Sequence, residues 1–200
     1  MSRPSCPRCR RPLSHCLCAL IPRLDSRTRV LILQHPDESG HALNTARLAA
    51  LGLVNAELLV GETFGDALAE RLADSSCHSV LLFPGEQAVQ PAPRGKTEQP
   101  LQLVVPDGTW RKARKLLYLN PALENLPRLC LPEGLTSRYR LRKAPQPGAL
   151  STLEAIVETL GRLEPGQDFT PLLRPFEALI DGQIRAMGEQ TYRRNHAGRE

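Results

Sequence analysis

Aromatic side chains are scarce in this sequence: four Phe, three Tyr and one Trp make up 4% of 200 residues, so the position of each ring carries information. Long apolar runs are missing as well. None approaches the ~18 residues that a membrane-spanning helix needs, which argues against an integral membrane protein. The opening MSRPSCPRCRRP is positively charged with no apolar stretch behind it, and so does not read as a signal peptide. There is no G-x-G-x-x-G and no G-x-x-x-x-G-K-[ST], which removes the dinucleotide and P-loop signatures. Acidic residues are outnumbered, 21 against 26 Lys and Arg, for a formal charge of +5. That modest excess favours a polyanionic partner such as nucleic acid. The expected location is cytoplasmic and reducing.

Six cysteines are present, and four of them, Cys6, Cys9, Cys16 and Cys18, crowd into the first eighteen residues as C-x-x-C, six residues, then C-x-C. In a reducing compartment such a cluster points to metal ligation. Two closely spaced pairs of thiolates supply the four corners of a closed structural zinc site. The segment has few apolar side chains of its own, so metal would be what holds it folded. Arg8, Arg10 and Arg11 would partly offset the negative charge of a zinc tetrathiolate. Two disulfides would require an oxidising compartment, and a redox C-x-x-C normally opens a helix after a strand. His15 could replace one thiol, although four already suffice. Cys77 and Cys130 stand beside apolar runs and are expected to be ordinary buried residues.

Beyond Pro22 the chain alternates short apolar runs with helical periodicity. Strands are expected over 30–33, 56–60, 80–83 and 101–105, with a fifth over 128–131. Helices are expected from an Asn44 or Thr45 cap through Leu51, stopped by Gly52, over 66–73, over 110–119, from a Ser151 cap with Glu154 as its capping-box partner, and from near Pro175. Residues 86–100 read as a polar, Pro-rich loop. Strands alternating with helices argue a parallel α/β sheet. Its sites belong at the carboxyl ends of the strands, in the loops that begin at Gln34, Pro84 and Pro106.

The densest polar signal is Pro106-Asp107-Gly108-Thr109-Trp110, at a strand end and a helix start. The bland reading makes Asp107 or Thr109 a helix cap and buries Trp110 in the core. The functional reading sets a carboxylate beside an aromatic platform and a helix bearing Arg111, Lys112, Arg114 and Lys115, suited to phosphate contacts. A second basic stretch, Ser137 to Lys143, interleaves Arg138, Arg140 and Arg142 with Tyr139, as backbone neutralisation with base stacking would require. A solvated charged face is the plain alternative for both. Gln34-His35-Pro36-Asp37-Glu38 gathers polar groups at another strand end, where a His is more often a hydrogen-bonded loop residue than a catalyst.

Taken in order, LQHPDE at 33–38, NTARL at 44–48, DGTW at 107–110 with RKARKL behind it, YRLRKAP at 139–145 and LSTLEA at 150–155 resemble the DTW-domain family, and the cysteine cluster extends the match. Lys112 departs from the amide residue often found there, and the 86–100 loop is peculiar to this chain. The resemblance implies an α/β, SPOUT-like, mostly parallel sheet with a knotted carboxyl-terminal part. It implies a zinc-binding element over residues 1–24 and a catalytic domain over 25–200. The implied activity is transfer of the 3-amino-3-carboxypropyl group of S-adenosylmethionine (SAM) to N3 of a uridine in the tRNA variable loop, releasing 5′-methylthioadenosine. Asp107 would be the base, with Thr109 and Trp110 beside it. Gln34, Phe83, Pro84, Gly85, Pro106, Leu150, Ser151, Thr152 and Glu154 would line the SAM pocket. Arg111, Arg114, Lys115, Arg138, Tyr139, Arg140 and Arg142 would contact tRNA. A SPOUT-type RNA methyltransferase and a non-catalytic zinc-containing tRNA-binding module are the alternatives.

Overall fold

The structure is a computed structural model that describes residues 4–139, 149–188, 191, 192 and 194. Arg140 and Arg142 lie outside the described residues. Five strands, β1 (Arg29–Gln34), β2 (Ala56–Val60), β3 (His78–Leu82), β4 (Leu101–Asp107) and β5 (Arg128–Leu129), form one sheet in the order β2-β1-β4-β3-β5. Every pairing between them is parallel, as the alternation of strands and helices requires. The two central strands, RVLILQ and LQLVVPD, are nearly continuous in apolar residues because both faces of the sheet are covered.

Side chains alternate across the strands, and that alternation divides the core in two. Val30, Ile32, Leu103 and Val105 pack beneath α2 (Ala46–Gly52), α5 (Thr152–Leu163) and α6 (Leu173–Met187). Leu31, Leu33 and Val104 face α3 (Gly65–Leu72) and α4 (Trp110–Leu119) through Leu68 and Leu117. Cys6, Cys9, Leu17 and Ile21 belong to the first of these cores, so the cysteine segment is continuous with it.

Most local expectations hold, and the differences have physical reasons. Gly52 does not stop its helix but completes it, where a Cβ would lie 2.5 Å from the Leu172 side chain. β3 starts at His78, two residues early, because its ladder with Leu101 is set by β4. β4 runs through Pro106 to Asp107, since beyond Val104 it pairs only with β1 and a proline is tolerated on a strand with one open side. A four-residue helix, α1 (Pro36–Ser39), follows β1 directly. α6 begins at Leu173, ahead of Pro175, after a 3-10 turn at Thr170–Leu172.

Strand order places the site. The connection leaving β1 goes to one side of the sheet and that leaving β4 goes to the other. The carboxyl ends of these neighbours therefore flank a topological switch point, where open parallel sheets bind their ligands. The register partners at that edge are Gln34 and Asp107.

Candidate active site and metal centre

Asp107 ends β4 and is only 8% exposed. A carboxylate in such a place is costly unless hydrogen bonds replace water. Gln34 Nε2 donates to its Oδ2 at 2.7 Å, and the Thr152 hydroxyl donates to its Oδ1. Gln34 is in turn locked to Asn44 by reciprocal amide contacts of 3.1 and 3.3 Å. The Asp107 carbonyl accepts from His35 N at 3.0 Å. Residues from β1, the 35–45 segment, β4 and α5 thus converge on one buried acid.

The next three residues turn the chain into α4. Gly108 has φ +153°, and a Cβ there would sit 3.0 Å from that of Lys112, so the turn needs glycine. Thr109 caps α4, its hydroxyl accepting from Lys112 N at 3.4 Å. The capping part of the bland reading therefore stands for Thr109. Its other half does not: Trp110 is 38% exposed and meets Phe83 edge-on, with ring centroids 5.6 Å apart and planes at 63°.

That aromatic pair stands on the wall of a cavity of about 670 Å³ over the carboxyl ends of β3, β4 and β5. Phe83, Pro84, Pro106, Leu150 and Thr152 line it, as do Gly108 and Trp110. Gln34, Gly85, Ser151, Glu154 and Asp107 are not on its surface. Asp107 is reached through Thr152, which lines the cavity and donates to the carboxylate. Ser151 and Glu154 instead form the capping box of α5. Glu154 also accepts from Ser137 Oγ and Arg138 N, at 2.9 and 2.6 Å, and so holds the 137–138 segment in place. Sequence reasoning missed residues 129–136, which make much of the opposite wall. Their sole cue was the Pro132-Glu133-Gly134 turn, with no periodicity to show which way it faces.

The basic residues separate by their partners. Arg111 and Arg114 are exposed, and among the described residues no carboxylate pairs with either. Lys115 pairs with Glu62 at 2.8 Å and holds that carboxyl below its ordinary range. Lys112 pairs with Glu38 and Asp37, at 2.8 and 3.3 Å. Arg138 pairs with Glu177 at 2.6 Å, while Tyr139 meets Phe176 edge-on at 5.4 Å. His35 is a buried loop residue: Nδ1 accepts from Asp37 N and Nε2 lies 2.9 Å from Glu62 Oε1. Tyr118, on α4, is an aromatic the sequence reading passed over, and it is 78% exposed.

At the N-terminus the four sulfurs of Cys6, Cys9, Cys16 and Cys18 lie within 4.8 Å of one another and form a group that can hold a metal ion. The Cys6–Cys18 and Cys9–Cys16 separations are 3.6 and 3.8 Å. A tetrahedron with Zn–S bonds of about 2.3 Å has edges of about 3.8 Å, which these two separations match, so the donor set fits zinc. Backbone N–H groups of Cys9 and Arg8 hold the Cys6 thiol down at about 6. Burial and the neighbouring thiols push Cys18 up to about 12. Arg11, 9% exposed, ties the element to the switch point by donating to the carbonyls of Ala42 and Asn44. Cys77 is buried as expected, whereas Cys130 is half-buried on the cavity wall.

The DTW domain family model matches residues 3–184. The chain is similar to tRNA-uridine aminocarboxypropyltransferase 2 of Drosophila melanogaster, 32% identical over 191 residues that cover 91% of this chain and 76% of the relative. The Macaca fascicularis protein of the same name is 31% identical over 192 residues, 92% of this chain and 64% of that protein. tRNA-uridine aminocarboxypropyltransferase A of Arabidopsis thaliana is 27% identical over 194 residues, 82% of this chain and 74% of the relative. No solved structure matches. With the family model spanning both the cysteine element and the Asp107 site, the chain belongs to the DTW domain family.

Proposed function

We propose that this protein is a tRNA-uridine aminocarboxypropyltransferase. It takes the 3-amino-3-carboxypropyl group from SAM, places it on N3 of a uridine in the tRNA variable loop, and releases 5′-methylthioadenosine. The observation that carries the reading is the switch-point cavity, whose wall joins the Trp110–Phe83 pair to the hydroxyl that holds Asp107. The names of the relatives point the same way.

The residues present fit such a donor. The cavity of about 670 Å³ falls within the roughly 300–1,000 Å³ usual for small-molecule sites, and it pairs apolar and aromatic walls with few polar groups. SAM supplies an electrophilic carbon attached to a sulfonium leaving group. The protein's part is to hold a uracil in line with that carbon and to remove the N3 proton. Asp107 is the acceptor for that proton, fixed by Gln34 and screened from bulk water, with the Thr152 hydroxyl between it and the cavity. The C–N bond forms as the C–S bond breaks, and the thioether departs with the sulfur's electron pair. Trp110 offers a face for a base drawn out of its stack. Arg111 and Arg114 contact tRNA phosphates directly, whereas Lys115 and Arg138 exchange a carboxylate for a phosphate; Tyr139, Arg140 and Arg142 are further tRNA contacts in this proposal.

Residues 1–24 form a zinc-binding element whose metal is structural, and residues 25–200 form the catalytic domain. A SPOUT-like chain path with a knotted carboxyl-terminal part belongs to the same proposal. Its support is the parallel sheet, with residues 129–136 and with Ala149, Leu150, Thr152 and Ala155 all lining the cavity at the strand ends. No helix among the described residues is long and apolar enough to cross a membrane, and the proposed setting is the cytoplasm.

Incubation of the protein and unmodified tRNA with SAM labelled in the carboxyl or in the methyl position tests the reaction class. Carboxyl label alone in the RNA is the expected result. Methyl label in the RNA would show a methyltransferase instead, and salt-sensitive binding without any label would show a binding module.

A further inference from the structure

A second cavity, of about 1090 Å³, lies between the cysteine element, the 39–48 segment and α6, and it shares no lining residue with the first. Its described lining carries Arg10, Arg11, Arg47, Arg185, His15 and His41, and no Asp or Glu. Several arginines elsewhere meet carboxylates, Arg29 with Asp74, Arg71 with Glu57, Arg94 with Glu98 and Arg138 with Glu177, while Arg111 and Arg114 on the face of α4 do not. Among the described residues no carboxylate pairs with any of the four cavity arginines.

Arg11 donates its two terminal nitrogens to the carbonyls of Ala42 and Asn44, and Arg47 donates Nη1 to that of Arg8. The Nε of each is buried and has no acceptor. The same holds for Arg94 and Arg162, but Glu98 and Glu158 answer their charge. Arg11 and Arg47 therefore have both a donor and a charge to match. Four guanidinium charges against the double negative charge of a zinc tetrathiolate leave two positive charges, so a metal in the cysteine site does not neutralise the cavity. Cations spread over three separate segments suit a chain of phosphates better than one small anion. Asn44, which lines the cavity, is hydrogen-bonded to Gln34, which donates to Asp107, so a backbone seated here is held in fixed relation to that carboxylate.

We propose that this cavity binds the phosphodiester backbone of the tRNA substrate, as a second contact separate from the basic face of α4. The inference rests on the reading that the substrate is tRNA. It is tested on the zinc-loaded protein by measuring the affinity for unmodified tRNA across a range of salt concentrations. Removing one cation that neutralises a phosphate lowers the slope of log affinity against log salt by about one. Arg47→Gln and Arg185→Gln should each weaken binding and lower the slope by about one, and the double variant by about two. Arg47→Lys and Arg185→Lys should restore most of it. Arg71→Gln, away from the cavity and paired with Glu57, should leave the slope unchanged. If the double variant kept its zinc and the wild-type slope, the proposal would be overturned. Should Arg47→Gln fail to fold, the exposed Arg185 decides alone. The labelled-SAM assay on wild-type protein separates the two readings: transfer with unchanged slopes sinks only this one, and lowered slopes without transfer sink only the enzyme.

Discussion

Gln34 Nε2 and Asp107 Oδ2 lie 2.7 Å apart although the residues are separated by 73 positions, and Thr152 reaches the same carboxylate from 45 positions on. Gln34 and Asp107 were legible as candidates from their strand ends, and Thr152 only through the family resemblance. Their union was not, because strand register and the docking of α5 decide it and neither has a local spacing. Thr109 was read as both cap and site residue, and its hydroxyl is occupied as a cap. In the proposed reaction the Thr152 hydroxyl stands between the cavity and Asp107, so its removal interrupts the proton's route to the base, an effect of about 100-fold or more in rate. Thr152→Val should therefore lower single-turnover transfer by about that factor while tRNA affinity stays at the wild-type value. A filter-binding titration beside the rate measurement separates the two effects.

At the scale of elements, whatever is set locally was readable. α4 begins and ends where its cap and Pro121 put it, and the S-x-x-E signal before α5 is a complete capping box. The Ser151 side chain accepts from Glu154 N, and Glu154 accepts from Ser151 N at 2.8 Å. Ser151→Ala should cost about 1 kcal/mol, seen as a lower urea midpoint with an unchanged m-value. Glu154→Ala should cost more, because it also orphans Arg138 N and Ser137 Oγ, which now bond to the carboxylate. β5 was expected over 128–131 and is present, though only Arg128–Leu129 join the sheet. What could not be read was which way the 129–136 wall faces, because an irregular loop takes its position from the surface it covers.

For the whole molecule, the alternation of strands and helices gave the parallel α/β class, but the order β2-β1-β4-β3-β5 depends on which strands meet across long intervals. Sequence alone also suggested that the cysteine element stands apart from the rest of the chain. In the structure Cys6, Cys9, Leu17 and Ile21 join the core beneath α2, α5 and α6, and Arg11 reaches the Asn44 carbonyl beside the Gln34–Asp107 contact. Loss of the proposed zinc should then be felt globally. Cys9→Ser should drop zinc well below one equivalent and lower the melting temperature of the entire cooperative transition. A mutant that kept a full zinc equivalent would refute the four-cysteine assignment, and one that lost zinc at an unchanged melting temperature would show that the element is thermally independent.

The most direct measurement is single-turnover transfer from carboxyl-labelled SAM to unmodified tRNA, with wild-type protein and Asp107→Asn side by side. Wild-type protein should place the label on uridine N3, and Asp107→Asn should be slower by about 100-fold or more while binding tRNA equally well. A folded Asp107→Asn protein that transferred the label as fast as wild type would contradict the role of Asp107 as the base.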